Sequence, residues 1–354
     1  SIVDPATYPL AVTARASIAF AKSYAVYGQA TYTPEQLESL HVTVGGRVTR
    51  DDKNGQLFTV NGASTNFTFD QRNTRIDPLA TVAWDASDAV NLYAKYATGY
   101  RAGGASSRSL NYRAFGPESV KSYEIGAKTE LFDRLVRLNL AGYMMDRTDS
   151  QVDFNFFIPQ TNGTVRNTLE TVNAEGVTKI KGIEADLTVR PTDSLSFGVS
   201  YAYTDVKIPP ARNTVQEQLN ASLTPAVTTP VFQDVYVVYT PKHAVSGSID
   251  FATPVGGAGA VAKLHLDANY SSPSFTFDNE NVKNEKAFLV NGRLSLADIP
   301  MSGNGQLLTV AFWARNLFNE SHIYRRSNAN GPVLGDYANF NAPRTIGVEA
   351  TVNF

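Results

Sequence analysis

Groups able to do covalent or metal chemistry are scarce in this chain. Cysteine is absent, and the four histidines are scattered at His41, His243, His265 and His322. Disulfides, thiolate metal sites and a cysteine nucleophile are therefore excluded. No two histidines stand at a metal-ligand spacing. A hydrolase would need a nucleophile beside a base. His243 and His265 fall on adjacent predicted strands with Ser246 near, but no motif fixes that geometry. The expectation is no enzyme, no cofactor and no metal. Lys+Arg 31 against Asp+Glu 33 leaves a net charge of −2, so the chain carries no overall basic field to draw nucleic acid or an anionic lipid surface.

What the 354 residues hold in quantity is Tyr 17, Phe 19 and Gly 25, with charged residues at 18%, low against roughly 25% for a soluble domain. No apolar run approaches the roughly 18–20 residues of a transmembrane helix, and no amphipathic helical pattern stands out. Period-2 alternation recurs from about residue 20 onward and predicts strands throughout. In 90–101, Val90, Leu92, Ala94, Tyr96, Thr98 and Tyr100 share one face; Asn91, Tyr93, Lys95, Ala97, Gly99 and Arg101 share the other. Segments 195–203 and 261–270 repeat the rule, as do the faces Ile183/Ala185/Leu187 and Leu308/Val310/Phe312. None of these apolar faces carries a charge. A soluble sandwich and a membrane barrel, apolar on its outer face only, both fit this pattern.

Connection lengths separate the two. Short turns near Thr33–Glu35, Asp85–Ser87, Phe132–Arg134, Pro191–Ser194 and Pro254–Gly259, with a longer one at Asp298–Gly305, alternate with long polar stretches near 51–73, 102–117, 208–238, 272–284 and 319–341; Pro159–Gly163 is a tight exception. Outer-membrane barrels join strands in this way, with short turns on one rim and long loops on the other. About thirteen strands result. Single-chain bacterial barrels have an even count, and an open sheet cannot leave edges in hydrocarbon. Residues 1–354 are thus expected to be the C-terminal part of a larger barrel, with residues 1–15 in an extracellular loop.

Ordered segments carry a family resemblance: SYAVYGQATYT (23–33), VTVGGRVTRDD (42–52), NLYAKYATGYRAGG (91–104), the stretch 115–151, NAEGVTKIKGIEADLTVRPTDSLSFGVSYAYTD (173–205), PKHAVSGSIDF (241–251), FWARNLFNESH (312–322) and APRTIGVEATVNF (342–354). Together they resemble the TonB-dependent outer-membrane receptors over essentially the whole chain. The resemblance implies an all-β, transmembrane antiparallel barrel of 22 strands filled by an N-terminal plug, of which these thirteen would be the last, the plug and first strands being absent. It also implies TonB-energised uptake of a scarce nutrient across the cell outer membrane of a Gram-negative bacterium, most often a ferric siderophore. The implied partners are TonB with ExbB and ExbD, acting through the plug, outer-membrane lipid and the barrel-assembly machinery, which would read the terminal Phe354. No nucleic acid partner is implied.

Arg101, Glu124, Lys128, Arg137, Glu184, Asp186, Arg315 and Glu349 fall opposite the apolar faces and are expected to line the lumen. Trp84, Tyr96, Tyr100, Tyr201, Tyr203 and Tyr270 fit interfacial girdles. Ligand contacts would come from the long loops and the outer mouth: Arg101, Arg108, Tyr112, Arg113 and Phe115 in one loop, His322, Tyr324, Arg325, Arg326 and Tyr337 in another. Arginines and aromatics could hold an anionic ferric chelate through charge and stacking, and loop solubility explains the same residues. Haem importers of the family carry Phe-Arg-Ala-Pro where this chain reads Tyr100-Arg101-Ala102-Gly103, and the loop that follows has no histidine, which disfavours haem. A passive porin, and cargoes such as cobalamin, oligosaccharides or aromatic compounds, remain alternatives.

Overall fold

The structure, a computed structural model, describes residues 15–60, 62–159, 165–257, 259–301, 305–327 and 336–354, without side chains for 155–167. The expected loop over 1–14 and the turn over 160–163 lie outside the described residues. In chain order the elements begin with β1 (Arg15–Tyr32), β2 (Leu40–Val60), β3 (Ala63–Ser87), β4 (Val90–Arg101), β5 (Gly104–Ala105), β6 (Ala114–Phe115), β7 (Glu118–Leu131) and β8 (Val136–Thr148). There follow β9 (Gln151–Pro159), β10 (Val165–Asn173), β11 (Val177–Thr192), β12 (Leu195–Lys207), β13 (Ala211–Arg212), α1 (Thr214–Ala221) and β14 (Phe232–Gln233). The chain ends with β15 (His243–Val255), β16 (Ala260–Ser271), β17 (Ala287–Pro300), β18 (Leu307–Arg315), β19 (Ile323–Ser327), β20 (Tyr337–Phe340) and β21 (Thr345–Asn353).

Thirteen strands form one antiparallel sheet in the order β1-β2-β3-β4-β7-β8-β11-β12-β15-β16-β17-β18-β21. The remaining strands make two-stranded ribbons inserted along one rim. The sheet is an open up-and-down meander with β1 and β21 at its edges. Its other rim turns tightly. Phe132, Asp133 and Arg134 take left-handed φ of 54, 52 and 68°, and Gly256 and Gly259 take 71 and 87°, the conformations that reverse a strand within a few residues.

Alternation puts the large apolar side chains on the outside. Ile125 is 67% exposed, Met144 66% and Val348 74%. A stacked sandwich would bury these faces in a dry interior, so that alternative is ruled out. The buried hydrophobic clusters sit among the loops. One joins Leu57, Val60 and Phe69 to Tyr112. The other joins Val152, Phe154 and Ala174 to Ala211, Val215 and Val235.

Three sequence expectations are corrected here. The stretch 51–73 is not an irregular loop: β2 and β3 stay paired to Val60↔Ala63, because ladder bonds form whether or not the side chains alternate in polarity. The 208–238 stretch contains a helix, α1, whose N-cap Asn213 accepts the Gln216 N–H at 3.0 Å. Tyr100 leaves the girdle. Above Ala97 the strands β3 and β4 part, and the Tyr100 hydroxyl donates to Asp51 while Arg75 sits 5.4 Å over its ring.

Candidate functional site

The lumen-side charges pair along the wall as their strand register dictates. Arg293 meets Glu349 at 2.7 Å and Arg101 meets Glu118 at 3.1 Å. Glu124 accepts the Tyr93 hydroxyl at 2.8 Å, and Lys128 lies 5.8 Å over that ring. Asp186 accepts from Ser200, and Arg315 lies 5.7 Å over Trp313. Among the described residues no group of three metal-ligating side chains converges; the wall offers a polar, charged track.

The rim insertions build the mouth. Of the residues expected to meet ligand, two are buried. Tyr112 is 2% exposed, at left-handed φ 56°, edge-on to Phe69 with ring centroids 5.0 Å apart; burial pushes its hydroxyl pKa up. It anchors the 102–117 loop to the β2/β3 hairpin. His322 is 6% exposed, with Nδ1 2.7 Å from Glu320 and its N–H donating to Asn341; it fixes the entry to β19. Arg108 gives its carbonyl to the Leu169 N–H at 3.1 Å, joining the same loop to β10. Phe115 gives its carbonyl to Gln71 at 2.6 Å. Arg113, Tyr324 and Arg326 have exposed side chains.

Arg325 and Tyr337 do come together, through residues that the sequence reading did not name. The Arg325 guanidinium lies 5.0 Å over Phe277 and 5.8 Å over Tyr337, while these two rings meet edge-on at 6.4 Å. Its Nε is buried without a hydrogen-bond partner among the described residues. Two residues before Phe277, Phe275 stacks on Tyr236 at 4.0 Å and takes Lys283 over its ring at 4.7 Å. The loop is held by the Tyr236 and Tyr239 N–H groups donating to Asp278 and Phe275 carbonyls. Two cations over three rings, with a fourth ring stacked beneath, make a surface suited to a planar, electron-rich anion, since cation–π contact positions the charge without neutralising it. Phe275 and Phe277, two aromatics spaced by two in a polar stretch, were the available signal.

A meander apolar outside, charged inside and roofed by folded loops on one rim defines a receptor-type membrane barrel. The chain belongs to the TonB-dependent receptors: the family model "TonB dependent receptor-like, beta-barrel" matches residues 3–317. That family consists of outer-membrane receptors and transporters rather than enzymes. A ferric-pyoverdine 358 receptor of Pseudomonas putida is 22% identical over 170 residues, covering 48% of this chain and 20% of that protein. The ferric yersiniabactin uptake receptor FyuA of Yersinia pestis superposes with a TM-score of 0.73 at 15% identity, over 96% of this chain and 46% of that one. The siderophore receptor PiuA of Acinetobacter baumannii gives 0.67 at 16% identity, over 94% and 43%. The chain spans less than half the length of these solved receptors.

Proposed function

We propose that this barrel forms the wall and outer mouth of a receptor that captures an anionic ferric siderophore and imports it under TonB drive. The carrying observation is the Arg325 guanidinium held over Phe277 and Tyr337 with its Nε unbonded; a chelate carboxylate or catecholate oxygen would complete it. Exposed Tyr324 and Arg326, with Arg113 and Arg101 across the rim, would add contacts. The thirteen strands would be the C-terminal ones of a 22-stranded barrel, closed where β1 and β21 now present free edges. TonB, with ExbB and ExbD behind it, would act through a plug inside that barrel, and Phe354 would serve the barrel-assembly machinery.

The test is uptake of iron-55 chelates by iron-starved cells expressing the full-length gene. Arg325→Ala should weaken capture about tenfold or more, the equivalent of one lost charge-assisted bond. Arg325→Lys should recover only part, because an ammonium lacks the planar fork. Uptake indifferent to iron supply, or unchanged in Arg325→Ala, would reject the reading.

A further inference from the structure

A net charge of −2 conceals a local concentration of cations on the sheet's outer face. Strand register sets Lys121, Asp146, Lys179 and Lys207 directly side by side across β7, β8, β11 and β12. One step toward the short-turn rim lie Tyr123, Met144, Lys181 and Asp205, on the same face. Lys242 joins them from the residue just before β15, 3.4 Å from Asp205 and 5.6 Å over the outward Tyr203 ring. Five lysines thus face two aspartates. Only Lys181 and Lys242 have an ion-pair partner within 4 Å among the described residues, and both share Asp205. Lys179 and Lys207 are directly opposed like charges, which a two-stranded ladder disfavours unless an anion lies between them.

Below the Lys121 and Asp146 end of this row, across β3, β4, β7 and β8, is an apolar concavity of about 610 Å³. Its floor is Ala80, Ala94 and Gly142, and Tyr96, Tyr123 and Met144 stand beside it. A Cβ on Gly142 would meet nothing within 4 Å, so that floor is open on the outer side. Tyr96 and Tyr123 rings pack at 5.1 Å, marking the level where amphipathic rings sit at a bilayer interface. Cations above an interfacial aromatic pair, with an acyl-sized slot beneath, match the two ends of one amphiphile.

We propose that this patch binds a phosphorylated membrane lipid, its phosphate on Lys121, Lys179 and Lys207 and one acyl chain in the slot over Gly142. The inference rests on the outer face being the lipid face. The receptor, expressed from its full-length gene and purified in detergent, is titrated with dioleoyl phosphatidic acid, and adducts are counted by native mass spectrometry; dioleoyl phosphatidylcholine and inorganic phosphate are the comparison probes. Phosphatidic acid adducts should exceed those of both comparisons and fall roughly fivefold or more in the Lys179→Glu/Lys207→Glu double variant. Gly142→Leu should also lower them by filling the slot. If charge reversal blocks folding, Lys179→Gln/Lys207→Gln carries the same comparison. Equal adducts with phosphatidylcholine, or undiminished adducts in a folded double variant, overturn the site alone. A wild type that stays outside vesicles overturns the membrane reading beneath it.

Discussion

Trp313 covers Gly347 across β18 and β21, Tyr93 covers Gly126, and Tyr143 covers Gly182; each pair is directly opposed in register on the lumen face. A Cβ on any of these glycines would run into the facing ring. The aromatic restores the cross-strand packing a glycine cannot supply. Gly347→Ala should therefore cost about 1–3 kcal/mol by overpacking, whereas Gly28→Ala, where a Cβ meets nothing within 4 Å, should stay within about 0.5 kcal/mol. Urea unfolding of the vesicle-inserted protein, followed by tryptophan emission, measures both, and equal midpoints would refute the packing argument. At this scale the sequence conveyed residue type but not environment. Tyr112 and His322 have the chemistry of ligand contacts, yet each is enclosed by segments far away in the chain. Phe277 went unnamed because its importance arises only once β19 and β20 bring Arg325 and Tyr337 against it.

The β9/β10 ribbon shows how the rim elements lean on one another. Burial, then the charge of neighbouring Asp153, pushes the Asp278 carboxyl from 3.8 up to about 6. Asp153 itself accepts from Thr171 at 2.6 Å. With its folded pKa above the unfolded value, Asp278 favours the packed loop fully below about pH 3.8, and that contribution is lost as pH rises through about 6. Hydrogen exchange in Gln151–Phe154, corrected for intrinsic rates, should accordingly be slower at pH 5 than at pH 7.5. Asp278→Asn should hold the slower behaviour at both. A pH response that survives in the variant would assign it to another group. The thirteen barrel strands were legible because lipid outside and water inside impose a strict period of two. The rim was less so: in 51–73 the alternation breaks, with Asp51, Asp52, Lys53 and Asn54 consecutive and Leu57 beside Phe58, and α1 has only eight residues, too few for a helical period to show against turn residues.

Taken whole, the molecule is turned inside out relative to a soluble sheet protein, and that sidedness can be tested by placing one charge on either face. Ile125 and Ser246 both lie within barrel strands, Ile125 on the outer face in register with Gly142 and Ala94, and Ser246 on the lumen face in register with Ser200. Lysine at position 125 would have to enter hydrocarbon, at about 2–4 kcal/mol near the midplane. Lysine at 246 would enter the polar track beside Asn269, its partner on β16, at little cost. Folding of the full-length receptor into vesicles, scored by heat-modifiable gel mobility, should fall for Ile125→Lys and remain near wild type for Ser246→Lys. The same contrast should recur at Val348 against Thr351, which share β21 on opposite faces, since that strand continues the alternation to the far edge of the sheet. If the lumen substitutions proved the damaging ones, the outer face could not be the lipid face, and both the import reading and the lysine patch above it would fall together.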